Sequence, residues 1–180
     1  NEGYQKYALF AFGAAMFHLF NHAMAKAMLF MSSGSVIHEM HHAHDHAHGD
    51  GDEGDHHHFD PQDMRNMGGL ASKMPVTSTA MMLGSMSIIG IPLIGGFWSK
   101  EGIVGQAWNV YLKGGEMILF PAILVLATAG MTGFYMSRMW FMTFAGKPKS
   151  DVVEYVHEET QWIKTPLVTL SIVTAFSGFL

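Results

Sequence analysis

HLFNHAMAKAMLF, residues 18–30, sets three ionisable side chains into an otherwise apolar run. His18, His22 and Lys26 stand four residues apart. On a helix each such step rotates the side chain by about 40° and advances it by roughly 6 Å, so the three share one face. They form a polar column. The flanks AFGAAMF and MSSGSVI extend the apolar run over 7–37, where this column and Tyr7 are the only ionisable groups. Roughly twenty residues suffice to cross a bilayer, so the stretch is predicted to be a first spanning helix. Its small residues, Ala11, Gly13, Ala14 and Ala23 among them, suit close packing against other helices. A charge at mid-bilayer costs at least about 2.5 kcal/mol, so such a column normally faces a bundle interior or a hydrated path. Histidine titrates near neutral pH, which lets a column of this kind exchange protons rung by rung. The competing reading makes the histidines hydrogen-bonded core residues and Lys26 a snorkelling side chain or the partner of an unseen carboxylate. The spacing of His18 and His22 suits a zinc pair, but no third histidine or carboxylate is near in sequence, so no metal is assigned. Asn21 lies off the column.

The whole chain reads as all-α, a polytopic transmembrane helix bundle with one discontinuous helix and a disordered His/Asp-rich loop. Hydrophobic residues make up 49% of the 180 and charged ones only 14%, with the charges clustered between long uncharged stretches. Residues 1–38 carry the first helix. Residues 39–63 form an insert with eight of the 15 acidic residues, most of the 12 histidines and no Lys or Arg. So little apolar content predicts disorder, and a mixture of His and Asp gives at most incidental affinity for nickel, zinc or copper. Residues 64–180 hold the remaining spans, at about 75–113, 117–145 and 165–180. In the first of these, GIPLIGGFWSKEG crowds Gly90, Pro92, Gly95 and Gly96 together, and Pro92 cannot donate to a helix ladder, so that helix is predicted to be broken. The chain starts at Asn1 without a methionine and stops at Leu180 inside an apolar run, as a fragment would. No signal peptide is recognisable, and without cysteine there is no disulfide, thiolate zinc site or ordinary iron–sulfur ligand set.

Arg65, Lys73, Lys147, Lys149 and Lys164 fall on one side of the predicted topology, against Lys6 and Lys113 on the other, which places the insert in the cytoplasm. Gly49, Gly51 and Gly54 match a dinucleotide-binding spacing, but acidic residues fill the gaps and would repel a pyrophosphate. The 16 methionines are spread as adaptable packing rather than gathered as copper ligands. Arg138, in YMSRMWF, reads as an interfacial anchor of its helix end.

FHLFNHAMAKAMLFMSSGSVIHEMHH, followed by DMRNMGGLASKMPVT and then GIPLIGGFWSKEGIV, resembles the antiporter-like subunit L, or chain 5, family of respiratory complex I, the NADH-quinone oxidoreductase. The resemblance covers nearly all of the chain outside the insert, with the blocks in the family's order. It implies that His18, His22 and Lys26 belong to a central hydrophilic axis. It also implies that Lys100, with Glu101 beside it, sits at the helix break and leads toward a proton exit. A straight helix from Val76 would instead put Lys100 about 36 Å along, just past a hydrocarbon core of roughly 30 Å. The function implied is proton translocation coupled to electron transfer, as a subunit of an oxidoreductase. This chain would carry no redox centre or cofactor, and NADH, flavin, iron–sulfur clusters and quinone would reside in other subunits. Its partners would be the bilayer and other membrane subunits, with no nucleic acid, in the plasma membrane of a prokaryote. The large subunit of a multisubunit sodium/proton antiporter or of a membrane-bound hydrogenase shares the same blocks. A metal transporter built on the His-rich loop is a third alternative.

Overall fold

The computed structural model describes residues 2–48, 59–158 and 161–179. Every regular element among them is helical: α1 (Glu2–His48), α2 (Pro75–Ile89), α3 (Gly95–Leu112), α4 (Leu119–Phe144) and α5 (Gln161–Phe176). Of these, two stretches, Gln5–Ala47 and Glu116–Phe144, are long and apolar enough to cross a membrane alone. α1 packs against α2, α3 and α5, while α4 covers the other side of α2 and α3.

At 47 residues α1 is about 70 Å long, more than twice the thickness of a hydrocarbon core. It does not stop at residue 38, the predicted end of the first helix. Met40 and Ala43 continue the apolar stripe that Val36 begins, at helical spacing, and all three are buried in one core with Val152, Val153 and Val156. Burial of that stripe carries the helix through a sequence whose His and Asp residues are poor helix formers. His44 then stacks on Phe59 with ring centroids 4.7 Å apart. Of the predicted insert, 39–48 thus extend α1, 59–63 lie outside any helix, and 49–58 lie outside the described residues. Past it, Asp63 caps a short turn by accepting from the Arg65 backbone at 2.9 Å. Hydrogen bonds from Arg65, with its charge, hold the Asp63 carboxyl below the usual carboxylate range.

The return segment uses Gly68 and Gly69 at positive φ to pass close under residues 145–148, with Gly69 N–H donating to Ala145 O. Pro75 then opens α2, where its missing N–H costs nothing. α2 and α3 are the halves of the discontinuous helix. Gly90 ends α2 in the left-handed conformation, its N–H and that of Ile91 both returning to Met86 O at 3.0 Å. Leu93 also has positive φ, which costs an L-residue about 1–2 kcal/mol. α3 restarts at Gly95, and Gly96 lies so close to α2 that a Cβ there would sit 1.9 Å from Ser87 O. α5 begins at Gln161 rather than 165 and carries Pro166 internally. Its first turn is held because Ile163 packs on the cluster of Met28, Ala80 and Leu167, and Lys164 donates to Glu158 O.

Candidate functional site

α1 presents His18, His22 and Lys26 to the α2–α3 break, and α3 brings Lys100 and Glu101 to the same place. All five line one cavity of about 620 Å³, room for on the order of twenty waters at about 30 Å³ each. The rings of His18 and His22 are 6.0 Å apart and tilted by 37°. His18 Nδ1 lies 2.9 Å from Ser99 Oγ, so the column and the restarted helix are joined by a hydrogen bond. The break keeps Lys100 on this cavity, where a continuous helix would carry it about 36 Å from Val76.

Lys100 has a definite partner. Its ammonium donates to Ile88 O, and to Ile89 O at 3.2 Å, the carbonyls that α2 leaves open where it ends. A cation is favoured there by the negative end of the α2 dipole. Gly90 makes room for this, since a Cβ on it would meet Lys100 Cδ at 3.1 Å. Glu101 is exposed and forms no ion pair with Lys100. Neighbouring residues on a helix diverge by about 100°, and the lysine has folded back onto α2. Glu101 thus stands beside Lys100 without pairing with it, and both touch the cavity.

The remaining wall was not singled out from sequence. Thr128, Thr132 and Tyr135 of α4 line it. Thr132 donates back to Thr128 O at 2.8 Å, a local bond that satisfies a hydroxyl in an apolar helix. Ser87 lines it too, and its buried Oγ has no hydrogen-bond partner. Asn21, off the column, is 2% exposed and ties three elements together. Its amide donates to Phe17 O at 3.1 Å and its carbonyl accepts from Ser177, where Gly95 also comes so close that a Cβ would sit 2.0 Å from Ser177 Oγ. Arg138 is not on the cavity and turns its guanidinium toward Met142 Sδ at 3.5 Å. A second cavity near the end of α1 is lined by His38, Glu39, His42, His46 and His157. Among the described residues no three His, Asp or Glu side chains are gathered to hold a metal ion.

Long apolar helices, one discontinuous helix and a cavity lined by two histidines and two lysines define part of a polytopic membrane bundle with titratable groups at its helix break. The chain belongs to the NADH:quinone oxidoreductase/Mrp antiporter transmembrane family, whose profile matches residues 3–129. It is 36% identical to the NADH-ubiquinone oxidoreductase chain 5 of Allomyces macrogynus, over 97% of this chain and 25% of that relative. Identity to the NAD(P)H-quinone oxidoreductase chain 5 of Synechocystis sp. is 46%, over 76% of this chain and 18% of that relative. The chloroplastic NAD(P)H-quinone oxidoreductase subunit 5 of Chaetosphaeridium globosum is 38% identical, over 93% of this chain and 23% of its own length. The chain thus spans about a quarter, or less, of the curated relatives it matches.

Proposed function

We propose that this chain is part of the proton-translocating membrane subunit of a complex I-type NADH (or related donor) quinone oxidoreductase. Protons cross by way of His18, His22 and Lys26 and pass to Lys100, with Glu101 at the cavity edge adjusting the local field. The observation that carries this reading is the shared cavity: four basic side chains from two elements meet where the helix ladder is interrupted. Interruption frees backbone carbonyls that water and a lysine can share, which an intact helix does not offer. The chain acts as an enzyme only as a subunit. Electron transfer takes place at NADH, flavin, iron–sulfur and quinone sites on partner subunits, and the charge movement it causes is relayed through neighbouring membrane subunits to this cavity.

The family also includes Mrp antiporters. The quinone oxidoreductase reading is preferred because the relatives described above all carry quinone oxidoreductase names. We place the subunit in the plasma membrane of a prokaryote, a placement supported by the 46% identity to the Synechocystis relative over 76% of this chain. The test is proton pumping per electron in the intact complex carrying Lys26→Ala or Lys100→Ala. Each is expected to lower the ratio while electron transfer from donor to quinone persists. An unchanged ratio in both removes these assignments, and pumping that requires sodium would favour the antiporter.

A further inference from the structure

Ser99 is fully buried at the start of α3, one residue before Lys100, and its hydroxyl oxygen touches two polar atoms. One is His18 Nδ1 at 2.9 Å, the other Gly96 O at 3.1 Å. A carbonyl oxygen only accepts, whereas a serine hydroxyl has one proton to give and two lone pairs to receive with. Two arrangements are open. If the hydroxyl donates to His18 Nδ1, its contact with Gly96 O becomes oxygen against oxygen with no proton between. If it donates to Gly96 O, it can accept from His18 Nδ1–H, and both short contacts are hydrogen bonds. In a buried site the arrangement with two hydrogen bonds wins over the one with a single bond and two oxygens in bare contact.

We propose that Ser99 is a positioning residue that fixes the tautomer of His18, keeping a proton on Nδ1 and leaving Nε2 as the ring nitrogen that exchanges in the cavity. The inference rests on the proton-path reading above and adds the residue that makes one rung directional. Nε2 takes a proton from cavity water, giving an imidazolium, and gives it back from the same nitrogen to water or to the next basic group. The Nδ1 proton stays on the Ser99 side, because Ser99 can pass its own proton only to a backbone carbonyl, which does not carry one onward. Ser99 is therefore a lock, not a wire. It also ties the state of His18 to the helix turn that carries Lys100. The other titratable or charged groups on this cavity are His22 and Lys26 of α1, Lys100 and Glu101 of α3 and Tyr135 of α4, and α2 contributes none.

The experiment compares proton pumping per electron in the intact complex for Ser99→Ala, Ser99→Thr and Lys100→Ala across pH. Loss of one orienting hydrogen bond should lower pumping by about fivefold in Ser99→Ala. The deficit should be larger at alkaline pH and narrow as pH falls, because a doubly protonated imidazole has no tautomer to choose. Ser99→Thr retains the hydroxyl and should recover most of the loss. Should the alanine variant not assemble, Ser99→Cys, which keeps the volume with a weak donor, is expected to show the same pH-dependent deficit. Pumping by Ser99→Ala equal to the parent, or a loss independent of pH and shared by Ser99→Thr, overturns the inference. If Lys100→Ala abolishes pumping while Ser99→Ala does not lower it, the inference alone fails. If Lys26→Ala and Lys100→Ala both leave pumping unchanged, it falls with the reading on which it rests.

Discussion

Glu158 serves a helix to which it does not belong. Its carboxylate accepts from Val76 N–H at 3.1 Å, and from Thr77 N–H and Thr77 Oγ1 at 2.7 Å. Those amides are orphans of the first turn of α2, whose own N-cap, Met74, has no side chain able to receive them. Thr77 also shares a hydrogen bond with Ser35 of α1, so one carboxylate secures the point where α1, α2 and the approach to α5 meet. Glu158→Ala should cost about 1–2 kcal/mol, seen as a lower melting temperature of the assembled protein in detergent. Glu158→Gln, which can still accept hydrogen bonds, should cost less. Equal stability of all three forms would deny the cap its role. At this scale the sequence is legible where chemistry repeats at helical spacing, as in the column at His18, His22 and Lys26. It is silent on Ser99 and Asn21, because a serine or an asparagine takes its meaning from the atom it meets, and those atoms arrive from elements 81 and 156 residues away.

The discontinuous helix rests on contacts that only glycine permits. Alanine at Gly96 would drive a methyl into the backbone of Ser87. Gly105, on the same helix, has nothing within 4 Å of the position its Cβ would take. Gly96→Ala is therefore expected to separate α3 from α2, costing about 1–3 kcal/mol or more, and to remove the assembled subunit from membranes. Gly105→Ala should be neutral or stabilising by about 0.5–1 kcal/mol. Immunodetection and thermal stability of the two variants decide the matter, and equal behaviour would place the break on some other footing. The break was readable because Pro92 lacks the amide a ladder needs and the glycines crowded around it tolerate the left-handed turn that Gly90 adopts. The length of α1 was not. His and Asp dominate residues 41–48, and their composition concealed a continuing stripe at Val36, Met40 and Ala43 whose value depends on the valines of 152–156 folding back over it. α5 started early for a similar reason, since Ile163 and Lys164 acquire partners only once α1 and α2 are in place.

At the scale of the whole molecule, α4 leaves an apolar face uncovered. Phe120, Leu126, Met131 and Phe134 of α4 are 63–72% exposed, a patch that water would not tolerate and that lipid or further helices would cover. The cavity is likewise walled by this chain only in part, with His22 and Glu101 exposed, as fits a chain spanning about a quarter of its relatives. Sequence conveyed the membrane class and the basic groups of the cavity, and could not convey which helices would close it. What the cavity contains when closed decides whether it conducts. High-resolution cryo-microscopy of the intact assembly in lipid would show this directly. Ordered waters linking His18, His22, Lys26 and Lys100, each link no longer than about 3.5 Å, are expected. Acyl chains or dry apolar packing against those four side chains, with no water reaching them in any state, would mean that protons do not travel here.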